Sequence, residues 1–222
     1  MLAFAGLVNT ASAALIFEID IDGADDGVLT FNPNFSFGGN TTIASQSATS
    51  TAFGTSGADS IFGGDGVAIP DTYLYSYAPD TEPDNLVIPA GQDLGDGNVA
   101  TGFTGGGSGL YRVYATWPFT TNVSGGLTTY NVTTTGDAFS VSIDQNRGGA
   151  GLGDVWVRLG DIDYSSGAIT VEQTAGSNSF VSMRAYGLLF EPAPIPEPSS
   201  ALLLLFGAVP LVRLVRQRQR VH

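Results

Sequence analysis

Phe139-Ser140-Val141-Ser142-Ile143-Asp144 alternates apolar with polar residues, the period of two expected of a strand with one wet face. Segments of this kind recur at fairly even spacing through the second half of the chain. Leu110 to Trp117, ended by Pro118, is followed by Thr128 to Val132 after the turn Ser124-Gly125-Gly126. Asp154 to Gly160 follows a glycine-rich loop, and Ala168 to Gln173 and Phe180 to Phe190 complete the series. Upstream, Leu15 to Ile21 and Thr72 to Tyr77 read as strands too, whereas 40–57, without charge and rich in Ser, Thr and Ala, suits an edge strand or a long loop. Between Ala14 and Glu191 no apolar period of 3.6 residues stands out, and thirty glycines favour tight turns over helix. Short strands punctuated by turns predict an all-β, two-sheet sandwich.

The two ends of the chain are different in kind. Met1 to Ala13 is an apolar run closing in Ala11-Ser12-Ala13, the small-residue pattern read by signal peptidase, with Ala11 and Ala13 at the cleavage site. It lacks a basic region, so the expected start lies upstream of Met1. At the other end, a spacer at 192–200 contains Pro196-Glu197-Pro198, an uncharged apolar run covers 201–212 within an expected helix at 201–215, and a tail at 216–222 follows. Arg213, Arg216, Arg218 and Arg220 form a basic cluster at this end. An apolar run resists leaving lipid and arginines resist crossing it, so the order predicts one short transmembrane helix with its tail in the cytoplasm. Fifteen residues is short for a span, and snorkelling of Arg213 and Arg216 makes up part of the gap. The exported domain is then 14–191.

Four of the eight basic residues, all arginine, lie in that C-terminal cluster, leaving four against twenty-one acidic residues and a net charge near −17 outside it. Such a domain repels nucleic acid and attracts divalent cations. There is no cysteine and no lysine, and the one histidine is the terminal His222. A Ser-His-Asp triad, a cysteine nucleophile, a lysine Schiff base and a zinc site of the usual ligands are therefore excluded from the domain. Asp144, Asp154, Asp161, Asp163 and Glu172 keep open a carboxylate-only glycan-active enzyme.

Two groups of residues are candidates for binding. Asp20, Asp22, Asp25 and Asp26 stand in a glycine turn and can offer hard oxygens to calcium, although no acid occupies the twelfth position of an EF-hand loop; the alternative is a solvated acidic turn. Gly57 to Gly66 resembles one repeat of a calcium-binding β-roll, but a roll needs several, and a glycine-rich loop is the better reading. Tyr73, Tyr75 and Tyr77 share one strand face, as a carbohydrate-binding stripe or as half of a core layer. Trp117 and Trp156 are sugar platforms if exposed and core residues if their strands bury them.

Pro196-Glu197-Pro198, the short apolar run and the arginine cluster together resemble the PEP-CTERM sorting signal of Gram-negative bacteria. That resemblance implies export through the Sec translocon, transient anchoring in the inner membrane, and recognition by an exosortase. A second resemblance is carried by Tyr111 to Pro118, Thr129 to Val132, Val141 to Asn146 and Gly153 to Gly160, which are similar, in order, to golvesin C-terminal-like domains. It covers 110–190 and implies a galactose-binding-like jelly roll, non-catalytic, resembling the carbohydrate-binding-like module of xanthan lyases. The expectation is an exported surface or extracellular-matrix protein associated with polysaccharide in a biofilm, requiring no cofactor beyond calcium. A structural surface protein without ligand is the alternative.

Overall fold

A computed structural model of the chain describes residues 11–38, 44–46, 49–63, 71–82, 85–103, 107–119, 127–145, 152–175 and 183–194. Pro196-Glu197-Pro198, the expected helix at 201–215 and the arginine cluster fall outside these residues. In chain order the strands are β1 (Ala11–Glu18), β2 (Phe35–Gly38), β3 (Ala44–Gln46), β4 (Ser60–Gly63) and β5 (Thr72–Tyr77). Then come β6 (Leu86–Pro89), β7 (Asp93–Gly95), β8 (Asn98–Val99), β9 (Gly109–Thr116) and β10 (Thr128–Thr133). The last are β11 (Ala138–Ile143), β12 (Val157–Tyr164), β13 (Ile169–Ala175), β14 (Met183–Ala185) and β15 (Gly187–Ala193). Among the described residues there is no helix, as the glycine content and the two-residue period predict.

Two five-stranded antiparallel sheets form the sandwich. The first runs β12-β9-β15-β1-β6 and the second β11-β10-β13-β5-β2, with a small β14-β4-β3 sheet and a β7-β8 ribbon beside them. The central core joins Leu15, Phe17, Tyr111, Val113, Leu188 and Phe190 of the first sheet to Tyr73, Tyr75, Tyr77, Tyr130, Val132 and Val171 of the second. Gly160 sits at a bulge in β12, where a Cβ would stand 2.8 Å from the Phe139 ring; its bareness lets β11 lie close to β12.

The first sheet is covered on its outer face as well. Ile16, Tyr114 and Leu189 pack there against Leu94 of β7 and against Ala52, Ala100 and Trp156, which come from connecting segments. The Trp156 indole donates to the Phe53 carbonyl at 2.9 Å, and its amide donates to that of Leu94 at 2.9 Å. The second sheet has no such cover in the described residues, and its outer positions are intermediate or exposed.

Several strands differ from expectation for local reasons. The segment Phe180 to Phe190 is not one strand: the chain breaks at Tyr186, β14 pairing with β4 and β15 with β1 and β9. Asp154 takes a φ of +66° and β12 begins only at Val157, so Trp156 precedes the strand. β15 runs on to Ala193, two residues past the expected domain end, with Pro192 and Ala193 buried. Ser60–Gly63, expected in a glycine-rich loop, is β4. Ala11–Ala14 pair with Leu86–Pro89, so the expected cleavage after Ala13 would remove Ala11, Ser12 and Ala13 from that pairing while leaving Leu15–Glu18 paired to β15.

β14 pairs with β4 on one side, and side-chain amides complete the other. The Gln145 side chain accepts from the Arg184 N–H at 2.8 Å and donates to its carbonyl at 2.9 Å, as a neighbouring strand would. Gln173 donates to the same carbonyl at 2.7 Å and accepts from the Tyr75 hydroxyl at 2.8 Å. Gln145 also reaches the Tyr130 hydroxyl, and its own carbonyl accepts from the Trp117 indole. Buried polar groups cost little only while paired. Gln145→Leu strands the Arg184 N–H and is expected to destabilise by about 2 kcal/mol in urea unfolding. Ser140→Ala, on the exposed face, is expected to stay within about 0.5 kcal/mol of wild type.

Candidate functional site

The five aromatic residues that the sequence left between sugar platform and core are all core residues. Tyr73, Tyr75, Tyr77, Trp117 and Trp156 are each no more than 1% exposed, so none presents a ring face to solvent. The cause is volume: without disulfides the sandwich fills the space between its sheets with its largest side chains. Tyr75 packs against Phe35 at 5.1 Å and edge-on to Phe17 at 5.6 Å, and Tyr77 lies 4.8 Å from Phe190. Burial pushes the Tyr73 and Tyr75 hydroxyls far above the usual phenol range, which keeps them neutral.

The solvent-facing surface that the fold creates instead is the outer side of the second sheet. Alternation along four strands and the cross-strand registers arrange its side chains in three rows. Ser142, Thr129, Thr174 and Thr72 form the first, and Ser140, Asn131, Glu172, Leu74 and Ser36 the second. Ala138, Thr133, Thr170 and Ser76 form the third. The rows are knitted sideways. Thr129 and Ser142 share a hydrogen bond of 2.8 Å, Ser140 donates to Asn131 at 2.8 Å, and Asn131 donates to Glu172 at 3.1 Å. Five strands at about 4.8 Å make a face about 20 Å across. Glu172 is its single ionisable side chain, and Leu74 is an exposed apolar centre. Sequence reading placed Glu172 among candidate carboxylates and missed the face, because the partners lie in strands far apart in the chain.

Those carboxylates are spread over both sheets. Glu172 is on the outer side of the second sheet, whereas Asp161 and Asp163 point outward from β12 in the first. Asp161 is held by Arg158 through two contacts of 2.7 Å, and Asp154 accepts from the Thr51 amide at 3.1 Å. On the first sheet Glu191 is buried and accepts from the hydroxyls of Tyr114 and Thr101. Burial, with the nearby Glu191 charge, pushes the Tyr114 hydroxyl up to about 12.

The acidic turn after β1 is also rearranged. Asp22 accepts from the Ala24 amide and the Thr30 hydroxyl, and Asp26 from the Val28 amide, so both brace their own turn. Asp20 points inward, fully buried, and accepts from the amides of Thr30 at 2.8 Å and Asp59 at 3.2 Å. Asp20, Asp22, Asp25 and Asp26 therefore do not converge as one ligand set, and among the described residues no three acidic or histidine side chains stand ready as metal ligands. Asp59, which sequence reading left within the glycine-rich segment Gly57 to Gly66, enters β4 beneath the turn. It is fully buried, its Oδ2 accepts from the Gly27 amide at 2.8 Å, and its Oδ1 accepts no hydrogen bond.

The chain can be compared with known proteins at the level of fold. No protein-family model matches the sequence, and no curated protein matches it. A solved structure of a Paenibacillus xanthan lyase is similar to it, with a TM-score of 0.51 and 18% identity, covering 82% of this chain. The two share a β-sandwich fold. The chain spans only 13% of that lyase's length.

Burial holds the Asp59 carboxyl above the ordinary carboxylate range, and the charges of Asp25 and Asp20 push the same way against the Gly27 and Asp26 amides. A raised acid binds its proton more tightly when folded. Its contribution to stability is full below the unfolded pKa and is lost as pH rises through the folded one. In metal-free buffer the melting temperature of wild type is expected to fall across that window relative to Asp59→Asn, and parallel pH profiles for the two proteins would count against this assignment.

Proposed function

We propose that this is an exported, non-catalytic protein of the cell surface or extracellular matrix, which associates with polysaccharide through the outer face of its second sheet. The observation that carries the reading is that face: broad, preformed on strands, rich in hydroxyl and amide groups, and bearing one charge in a domain that is otherwise strongly acidic. Soluble surfaces usually carry about 25–35% charged side chains, so so neutral a face favours hydroxyl-rich partners over ionic ones. Hydroxyls and amides at strand spacing can trade hydrogen bonds with sugar hydroxyls, and Leu74 can meet a pyranose C–H face. Polyanionic chains are disfavoured by Glu172 and by the domain's net charge. The sandwich fold shared with part of a xanthan lyase is compatible with a carbohydrate-binding-like module of the jelly-roll kind.

The route to the surface in this reading is the one encoded at the two ends. The N-terminal run directs the chain to the Sec translocon and signal peptidase. The apolar run with Arg213, Arg216, Arg218 and Arg220 anchors it transiently in the inner membrane, and Pro196-Glu197-Pro198 presents it to an exosortase.

Two measurements check the reading. Saturable binding to the exopolysaccharide of the producing organism is expected, and the double variant Thr129→Leu, Asn131→Leu is expected to weaken it by about tenfold at a melting temperature near that of wild type. Absence of binding by the wild-type protein would leave a structural surface protein without ligand. Glu197→Ala is expected to remain uncleaved in the membrane fraction; normal processing of that variant would sink the sorting assignment.

A further inference from the structure

We propose that Asp59 is the inner anchor of a divalent-cation site, suited to calcium, which Asp25 completes from the overlying turn with Asp20 alongside. The proposal is independent of the glycan-binding face. It starts from an anomaly, a fully buried carboxylate with one oxygen bonded and the other accepting nothing. Buried polar atoms are almost always partnered, because an unpaired one forfeits its hydration without return.

The surroundings deepen the anomaly. The charges that act on Asp59 are those of Asp25 and Asp20, both of its own sign. Asp59 and Asp20 are tied together at 3.2 Å through the Asp59 amide, and the turn is fastened to Asp59 by the Gly27 amide. Two buried acids are thus held beneath a loop that carries a third at its exposed tip. Such a concentration of negative charge repels itself unless a cation enters it.

The chemistry of the donors selects the ion. Carboxylate and peptide oxygens are hard ligands, and the turn supplies neither sulfur nor imidazole, which fits calcium and not zinc. Calcium accepts irregular sets of six to eight oxygens, including backbone carbonyls, whereas magnesium demands a near-octahedral cage. Asp22 and Asp26 are engaged in bracing the turn, which leaves Asp25 as its free acid for the ion. Gly23 and Gly27, at φ of +73° and +77°, bracket the segment that must carry Asp25 inward. The ligand set is therefore completed by binding, which is why three acids do not already stand together.

The test uses the full chain, stripped with chelator and without any glycan. Calcium is expected to raise the wild-type melting temperature by several degrees, increasing with its logarithm, and magnesium much less. Terbium is expected to give sensitised emission that calcium displaces. Asp59→Asn is expected to abolish both signals, whereas Asp22→Asn, which alters the turn but not the anchor, keeps them. Should Asp59→Asn fail to fold, the exposed Asp25→Ala serves instead, with calcium affinity expected to drop on the order of tenfold. A wild-type melting temperature indifferent to calcium overturns the proposal, as does an unchanged calcium shift in both Asp59→Asn and Asp25→Ala.

Discussion

The pairing of two glutamine side chains with the backbone of Arg184 is the contact on which the two halves of this sandwich depend. Among the described residues β14 has a strand on one side only, so its other peptide groups would face the interior unpaired. Gln145 and Gln173 supply the missing partners, and the same two amides engage Tyr130 and Tyr75 from the second sheet. Trp117, just beyond β9 of the first sheet, closes the set by donating to the Gln145 carbonyl. A network of this kind is worth its desolvation only when every member is satisfied, so it selects one register of the sheets around it. The chain has no disulfide to do that task.

Because the network and the aromatic layer occupy the interior, chemistry at the surface is left to small polar residues and acids. The first sheet is covered on both sides along β1, β6, β9 and β15, inside by the core and outside by the layer around Trp156. Among the described residues the second is covered on one side only. This asymmetry makes the Thr- and Ser-rich rows a surface and turns the tyrosine row of β5 into core, although both lie on the same strands. A side chain's face, set by its parity along the strand, decides which role it has.

The acids divide in a similar way. Some work locally, as Asp22 and Asp26 do in holding their turn and Asp161 does with Arg158. Asp20 and Asp59 are different because they are buried side by side, where electrostatics is least screened by water. A strongly acidic chain gains solubility from its exposed carboxylates, but a buried pair must be explained by what it holds.

Much of the architecture was legible in the sequence because it depends on local pattern. The two-residue period located β5, β10, β11 and β13 to within a residue or two, glycine excluded helix, and the lack of histidine and cysteine in the domain limited its chemistry. What tertiary structure decided were the matters of partnership. The break at Tyr186 had no turn signal in the sequence, because it arises when β14 and β15 join different sheets. The same holds for the start of β12, displaced by the left-handed Asp154, and for the burial of Trp156 under connecting segments that carry no strand signal. Asp59 met Asp20 only through a separation of 39 residues. A sequence states which residues alternate and which chemistries are missing; which face is wet, and which carboxylates meet, depends on contacts between segments that no local period encodes.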